Sequence, residues 1–397
     1  MTDQLGWERL HDELHKECDQ LRSANLFRSL TTSPIFSSTK LSQNEFIDLT
    51  HNDYLGLRFN LNFNQMVKDS LETIPIGSGG SRLLGGEHPE FTKLEQDFSE
   101  FKGVESSLYF GSGYGANHAI ISVLSRPGYA FFSDALNHAS IVDGMKLSKQ
   151  NNCDRYIYRH CDYDHLEQLL SKSTAKVNVI YTESIFSMDG DVSDLIRLSQ
   201  LADRYCGVLV VDEAHSIGVR GIRGSGELSE QGLSHEKIIT MNTCGKALAC
   251  QGALVCGPSW FRDAIINTSR SFIYTTAPSP IVALAVRKAI ECIVSMDRER
   301  TYLRQMSNEV RKTLEQLGLE CGASSTHIIP IILGGETASL EFASRLQMNR
   351  FFVKAIRPPT VPQGASRVRL SLNSSLSSDD VYSLQETLKR VVDEDQV

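Results

Sequence analysis

The chain has 397 residues, 41% of them hydrophobic, enough to bury a large core and to build two or three domains. Its 40 Lys and Arg stand against 48 Asp and Glu, a formal net charge of −8 with no long basic run, which argues against a nucleic-acid partner but leaves small anionic ligands open. Nine cysteines, an odd number without a Cys-x-x-Cys pair, argue against a disulfide framework, and the absence of an apolar leader or of any apolar run near 18 residues makes a cytoplasmic protein with no membrane span the expectation.

Residues 3–29 read as an amphipathic helix marked by Leu5, Leu10, Leu14, Leu21 and Leu26, and a Ser- and Thr-rich link follows from Thr31 to Ser42. From Ser107 the texture changes. Seven short apolar runs recur: SLYF (107–110), YAFFS (129–133), RYIYR (155–159), VNVIYTE (177–183), GVLVVDEAH (207–215), IITMNT (238–243) and ALVCG (253–257). Helical stretches separate most of them, and continuous apolar strands alternating with helices predict a mostly parallel seven-stranded sheet covered on both faces. After Pro280 one long helix is expected over 281–318. A strand (327–333), a helix (338–347), two extended pieces and a closing helix (379–393) then fit a smaller α+β domain. The predicted organisation is an N-terminal helix and arm (1–60), a large α/β domain (61–285) and a C-terminal α+β domain (286–397).

In open α/β sheets ligands bind beyond the carboxyl ends of the strands, so the chemistry is sought there. SLYF is followed by Gly111-Ser112-Gly113-Tyr114-Gly115 and a helix, either a tight turn or a phosphate site built from backbone N–H groups and a helix N-terminus. GVLVV ends in Asp212-Glu213-Ala214-His215. A carboxylate closing a buried strand needs a cationic partner, which could be a metal, an Arg or a protonated ring nitrogen. IITMNT ends in Thr243-Cys244-Gly245-Lys246, a lysine among small and apolar neighbours. Such a lysine is either solvated or, when desolvated, a nucleophile for a carbonyl. A phosphate loop, a strand-end Asp and a strand-end Lys are what pyridoxal 5'-phosphate requires, with its anionic tail, pyridinium nitrogen and aldehyde. His138, Ser187, Thr275 and Thr276 follow strands or turns and are weaker marks. Arg357 and Arg369 flank a Pro-rich link, and either could hold a carboxylate. Cys244, Cys250 and Cys256 recur every six residues, a spacing that does not suit zinc, and no metal is expected.

Taken together, THNDYLGL, GSGGSRLLGG, GSGYGANHA, LNHAS, TESIFSMDGD, VDEAHSIGVRGIRGSG, TCGKALACQGA and RSFIYTTAPSP resemble the α-oxoamine synthases, a branch of fold-type I pyridoxal-phosphate enzymes, from about Thr50 to the C-terminal helix. The resemblance implies that Lys246 holds the cofactor as a Schiff base and later acts as the base. It implies that Asp212 pairs with the ring nitrogen, that His138 stacks on the ring, and that His215 and Ser187 contact the ring hydroxyl side. Gly113, Tyr114 and Thr243 would hold the phosphate, and Thr275 and Thr276 would reach it from the second subunit of a homodimer. Asn52 and Glu183 would line the substrate pocket, Arg369 would bind the amino-acid carboxylate, and Arg28 would face the acyl donor. Within the branch, AIRPPTVPQGASRVRLSL is similar to members that join L-alanine to a pimeloyl thioester, on coenzyme A or an acyl-carrier protein, in biotin synthesis. Glycine with another acyl-CoA, a transamination, and an inactive partner subunit stand as alternatives. Two stretches depart from the common pattern of the branch: Gly85-Gly86-Glu87-His88, and Ala249-Cys250-Gln251 after Lys246.

Overall fold

The computed structural model describes residues 2–30, 46–71, 73–148 and 151–393; the side chain of Leu5 and the link from Thr31 to Ser42 lie outside the described residues. The first helix spans Thr2–Ser23, shorter than the expected 3–29, and Leu10 and Leu14 on it are exposed. The arm that follows crosses to the far end of the chain, where Asn25 Nδ2 donates to Thr337 Oγ1 at 3.2 Å. Strand β1 (Ile47–Asp48) then pairs in parallel with a late strand, Phe351–Phe352.

The seven expected strands form one sheet: β2 (Ser106–Phe110), β3 (Tyr129–Asp134), β4 (Asp154–Tyr158), β5 (Val177–Glu183), β6 (Gly207–Asp212), β7 (Ile238–Thr243) and β8 (Ala253–Gly257). Their order is β2-β8-β7-β6-β5-β3-β4, and only β8 runs antiparallel to its neighbours. The loop 244–252 is too short for a crossover helix, and a connection that short joins antiparallel strands. Successive residues of β3, β5 and β6 enter opposite cores. Phe131, Tyr181 and Val210 pack on one face, and Phe132, Ile180 and Val211 on the other. Burial on both faces is why these strands read as continuous rather than alternating apolar runs.

The segment expected as one helix is two, Pro280–Ile293 and Asp297–Gln316. The break follows from capping. The guanidinium of buried Arg300 donates to Ile293 O at 2.8 Å, satisfying a C-terminal carbonyl of the first helix, and pairs with Asp297 at 2.6 Å in the first turn of the second. Beyond it, β9 (Ile328–Gly334), β11 (Ala355–Ile356) and β12 (Ser366–Ser371) form an antiparallel sheet in the order β11-β12-β9, and β10 (Phe351–Phe352) is the partner of β1. Helices Glu336–Met348 and Ser378–Asp393 complete this end. One apolar cluster runs from Leu49 and Tyr54 through Phe91 and Val286 to Leu370 and Val391, so arm, large sheet and C-terminal sheet share a core. Backbone bonds from Ser371 N to Leu49 O (2.9 Å) and from Ser374 N to Tyr54 O (2.9 Å) lay the segment 49–54 along β12. Among the described residues no helix is long and apolar enough to cross a membrane.

Candidate active site

Parallel register sets the C-terminal ends of β5, β6 and β7 abreast, with Glu183 opposite Asp212 and Asp212 opposite Met241. Lys246 sits just beyond, in the turn from β7 to β8. Its Nζ lies 2.8 Å from His215 Nε2, and no carboxylate lies within ion-pair distance of it among the described residues. Burial pulls its pKa down from 10.5 to about 8, with Asp212 and Glu183 acting in the opposite direction. His215 Nδ1 meets Tyr54 Oη at 2.6 Å, and burial, reinforced by Lys246 and Arg369, holds this imidazole well below its ordinary pKa. A neutral ring is what contact with an amine on one nitrogen and a hydroxyl on the other requires.

The network continues outward. Tyr54 Oη donates to Asn52 Oδ1 at 3.1 Å, and Arg369 Nη2 donates to the same oxygen at 2.8 Å. Arg369 Nη1 donates to the Ser187 carbonyl at 2.8 Å. Arg369 is buried and has no carboxylate partner among the described residues, so its guanidinium is available to an anionic group of a ligand. The 49–54 segment and β12 thus join Asn52 and Arg369 to the network that reaches the lysine, while Ser187 enters it only through its backbone carbonyl.

Asp212 faces the other side. Its carboxylate accepts from Ala214 N–H at 2.9 Å and from Asn117 Nδ2 at 3.0 Å. The second Nδ2 proton of Asn117 goes to Ser140 Oγ (2.9 Å), and its Oδ1 accepts from Tyr181 (2.7 Å). Ser140 Oγ in turn lies 2.8 Å from His138 Nδ1. Asp212 and His138 are therefore joined through two residues that no sequence argument singled out. Asn117 was within reach of one, since it follows the glycine turn by one helical turn in GSGYGANHA. Glu183 is buried with Oε1 unpartnered, and burial followed by the charge of Asp212 pushes its carboxyl well above the usual range.

The glycine turn caps the helix Gly113–Leu124: Ser112 Oγ accepts from Gly115 N–H at 3.1 Å. Gly113 stands against β7, where a Cβ would meet Met241 Cε at 3.4 Å and Thr243 Oγ1 at 3.7 Å. Bare backbone, a hydroxyl and a helix N-terminus make a cradle for an anion. Tyr114 is exposed and its hydroxyl is taken by Asp143 (2.6 Å), which leaves its backbone N–H for an anion at the turn. An anion cradle at Gly113 and Thr243, the strand-end carboxylate of Asp212 and the amine of Lys246 match in kind the anionic tail, ring nitrogen and aldehyde of pyridoxal phosphate.

Other expected residues stand apart. Thr275 and Thr276 are exposed, and no hydrogen bond joins them to Lys246, Asp212 or the glycine turn among the described residues. Arg28 and Arg357 lie together elsewhere: Arg28 Nη2 donates to Pro358 O at 2.9 Å, Arg357 donates to Asn25 O, and both line a groove of about 670 Å³. Of the departures from the common pattern, Glu87 pairs with Arg82 at 2.5 Å and the His88 ring accepts from Glu90 N–H at the start of helix Pro89–Lys102. Ala249 takes a left-handed conformation, φ +51°.

A family model, aminotransferase class I and II, matches residues 44–388. The 8-amino-7-oxononanoate synthase of Paraburkholderia xenovorans (strain LB400) is 37% identical over 382 residues, 95% of this chain and 96% of that protein. Among solved structures, an 8-amino-7-oxononanoate synthase from Francisella tularensis is 28% identical with a TM-score of 0.76, over 88% of this chain and 98% of that one. A serine palmitoyltransferase from S. paucimobilis, bound to a PLP–myriocin aldimine, shares the fold with a TM-score of 0.87 at 24% identity, over 96% of each chain. The chain belongs to the α-oxoamine synthases, within the class I and II aminotransferase family, and pyridoxal phosphate is its cofactor.

Proposed function

We propose that the protein joins L-alanine to a pimeloyl thioester, with loss of carbon dioxide and the thiol, to give 8-amino-7-oxononanoate for biotin synthesis. The names of its relatives support the pathway. The observation that carries the reading is the unbroken chain Lys246–His215–Tyr54–Asn52–Arg369, which holds a neutral-prone amine and a buried guanidinium on one network.

When bound, pyridoxal phosphate supplies an electrophilic aldehyde and a ring that withdraws electrons from the substrate Cα. Lys246 Nζ is the amine that would hold the cofactor's aldehyde and be freed when alanine binds. The freed amine then takes the Cα proton and later returns one to the product. A pKa of about 8 suits that task near neutral pH. His215 orients Nζ from one side. Asp212, steadied by Asn117, would keep a proton on the ring nitrogen, and His138, held by Ser140, would face the ring. Arg369, with Asn52 fixing its fork, receives the alanine carboxylate until that group leaves as carbon dioxide. Gly113, Tyr114 and Thr243 hold the phosphate. Thr275 and Thr276 act from the second subunit of a homodimer, in keeping with their exposure. Arg28 and Arg357 offer two cations to the acyl donor, carried on coenzyme A or on an acyl-carrier protein, and the enzyme works in the cytoplasm.

The test is release of free thiol by purified holoenzyme given pairs of amino acid and donor. L-alanine with pimeloyl-CoA is expected to turn over fastest. Faster turnover with glycine and acetyl-CoA would overturn the assignment.

A further inference from the structure

A second cationic place lies behind the C-terminal sheet. Helix Asp297–Gln316 carries Arg300, Arg304 and Arg311 with Ser307 among them, at spacings of four, three and four that put all four residues on one face. The small Ser307 leaves room, and a cavity of about 20 Å³ opens there, lined also by Arg220 and by His327 at the start of β9. That volume takes one water-sized particle.

The charges around it do not balance. Arg220 pairs with Glu227 at 2.8 Å, Arg300 with Asp297 at 2.6 Å and Arg304 with Glu230 at 3.4 Å. Arg311 is 8% exposed and has no carboxylate within ion-pair distance among the described residues; Thr326 O and Asn308 Oδ1 take two of its five N–H groups. Glu315, one turn on, acts only at longer range. A buried guanidinium left without a counter-charge is costly. A second group in the same cavity is also unsatisfied: His327 is 4% exposed and its Nε2 has no hydrogen-bond partner. Burial, then Arg220, Arg369 and Arg311, hold His327 down to about 3, so at neutral pH the ring offers a single N–H. Arg311, a guanidinium without a counter-charge, and His327, an imidazole with an unpartnered nitrogen, both line this cavity.

We infer that this cavity binds one monovalent inorganic anion of halide size between Arg311 and His327. The lining carries four guanidinium groups and one imidazole and no carboxylate. The site is separate from the proposed substrate site but touches it through one contact. The His327 ring packs edge-on against Tyr54, centroids 3.9 Å apart, and Tyr54 is the hydroxyl on His215.

The probe is bromide. Crystals of the holoenzyme soaked in sodium bromide should show one anomalous peak between Arg311 and His327. In solution, the holoenzyme should melt roughly 2 °C or more higher in sodium chloride or bromide than in sodium gluconate at equal ionic strength, because gluconate cannot enter. Arg311→Met should abolish that difference. Ser307→Asp, which places a carboxylate one turn from Arg311, should abolish it too while keeping the gluconate melting point at or above the wild-type value. If Arg311→Met fails to fold, Ser307→Asp still decides. Absence of the anomalous peak, equal melting in halide and gluconate, or a halide effect that survives both substitutions would show water alone in the cavity and overturn the inference.

Discussion

Two lysines, Lys102 in the buried interior and Lys246 half-buried beyond the strand ends, are used in opposite ways. Lys102, at the end of helix Pro89–Lys102, is buried against Glu213 and also donates to Ser225 O at 2.6 Å. Lys246 meets an imidazole at 2.8 Å and no carboxylate at ion-pair distance. The neighbouring acids Asp212 and Glu213 part company at the end of β6. Glu213 turns to Lys102 and to Leu228 N–H, fixing the loop that carries His215, whereas Asp212 turns to Asn117. Burial alone therefore does not make a lysine reactive. Lys102 is held in an ion pair with Glu213, whereas Lys246 has no carboxylate in contact and its pKa is drawn down to about 8.

The contrast can be broken at either lysine. Lys246→Ala is expected to cut turnover by at least about a thousandfold, losing nucleophile and base together, with folding intact by circular dichroism. Retention of a tenth of the wild-type rate would remove Lys246 from the chemistry. Glu213→Gln leaves Lys102 buried without its partner, and denaturant unfolding should show a loss of about 3–5 kcal/mol. A change under about 1 kcal/mol would mean that this pair is not the anchor of the loop.

The pH dependence of the apoenzyme sharpens the comparison. The folded pKa of Lys246 lies near 8 against an ordinary 10.5, so between those values the unfolded chain binds the additional proton. Apoenzyme stability should rise with pH across that window, and the lysine should contribute least below pH 8. Recapture of pyridoxal phosphate by apoenzyme should accelerate about tenfold per pH unit up to roughly pH 8 and then level off. A rate that does not change between roughly pH 6 and 9 would contradict a depressed lysine. The smallest effect is expected beside it. Ala249 holds a left-handed φ of +51°, so Ala249→Gly should stabilise by about 0.5 kcal/mol, read as a raised denaturant midpoint, and a lowered midpoint would contradict it.

What the sequence discloses follows from how local each signal is. All seven strands of the large sheet were legible because burial on both faces makes unbroken apolar runs. Asp212, His215, Thr243 and Lys246 were legible because they follow those runs directly. The contacts that complete the site are not local. Tyr54 and His215 are 161 residues apart and Arg369 and Asn52 are 317 apart, and no periodicity encodes either pairing. Asn117 and Ser140 join Asp212 to His138 through side chains that read as ordinary helix residues. The helix break at Ile293–Asp297 was missed because the cap is Arg300, a residue that propensity counts as helix-forming. The role expected of Thr275 and Thr276 rests on resemblance alone, because both are exposed and no contact within the chain joins them to the site among the described residues.

The most direct test of the central claim is where the cofactor attaches. Holoenzyme reduced with borohydride, digested and mapped by mass spectrometry should carry the pyridoxyl group on the peptide that contains Lys246. Label on Lys102, or on any surface lysine in place of Lys246, would contradict the account.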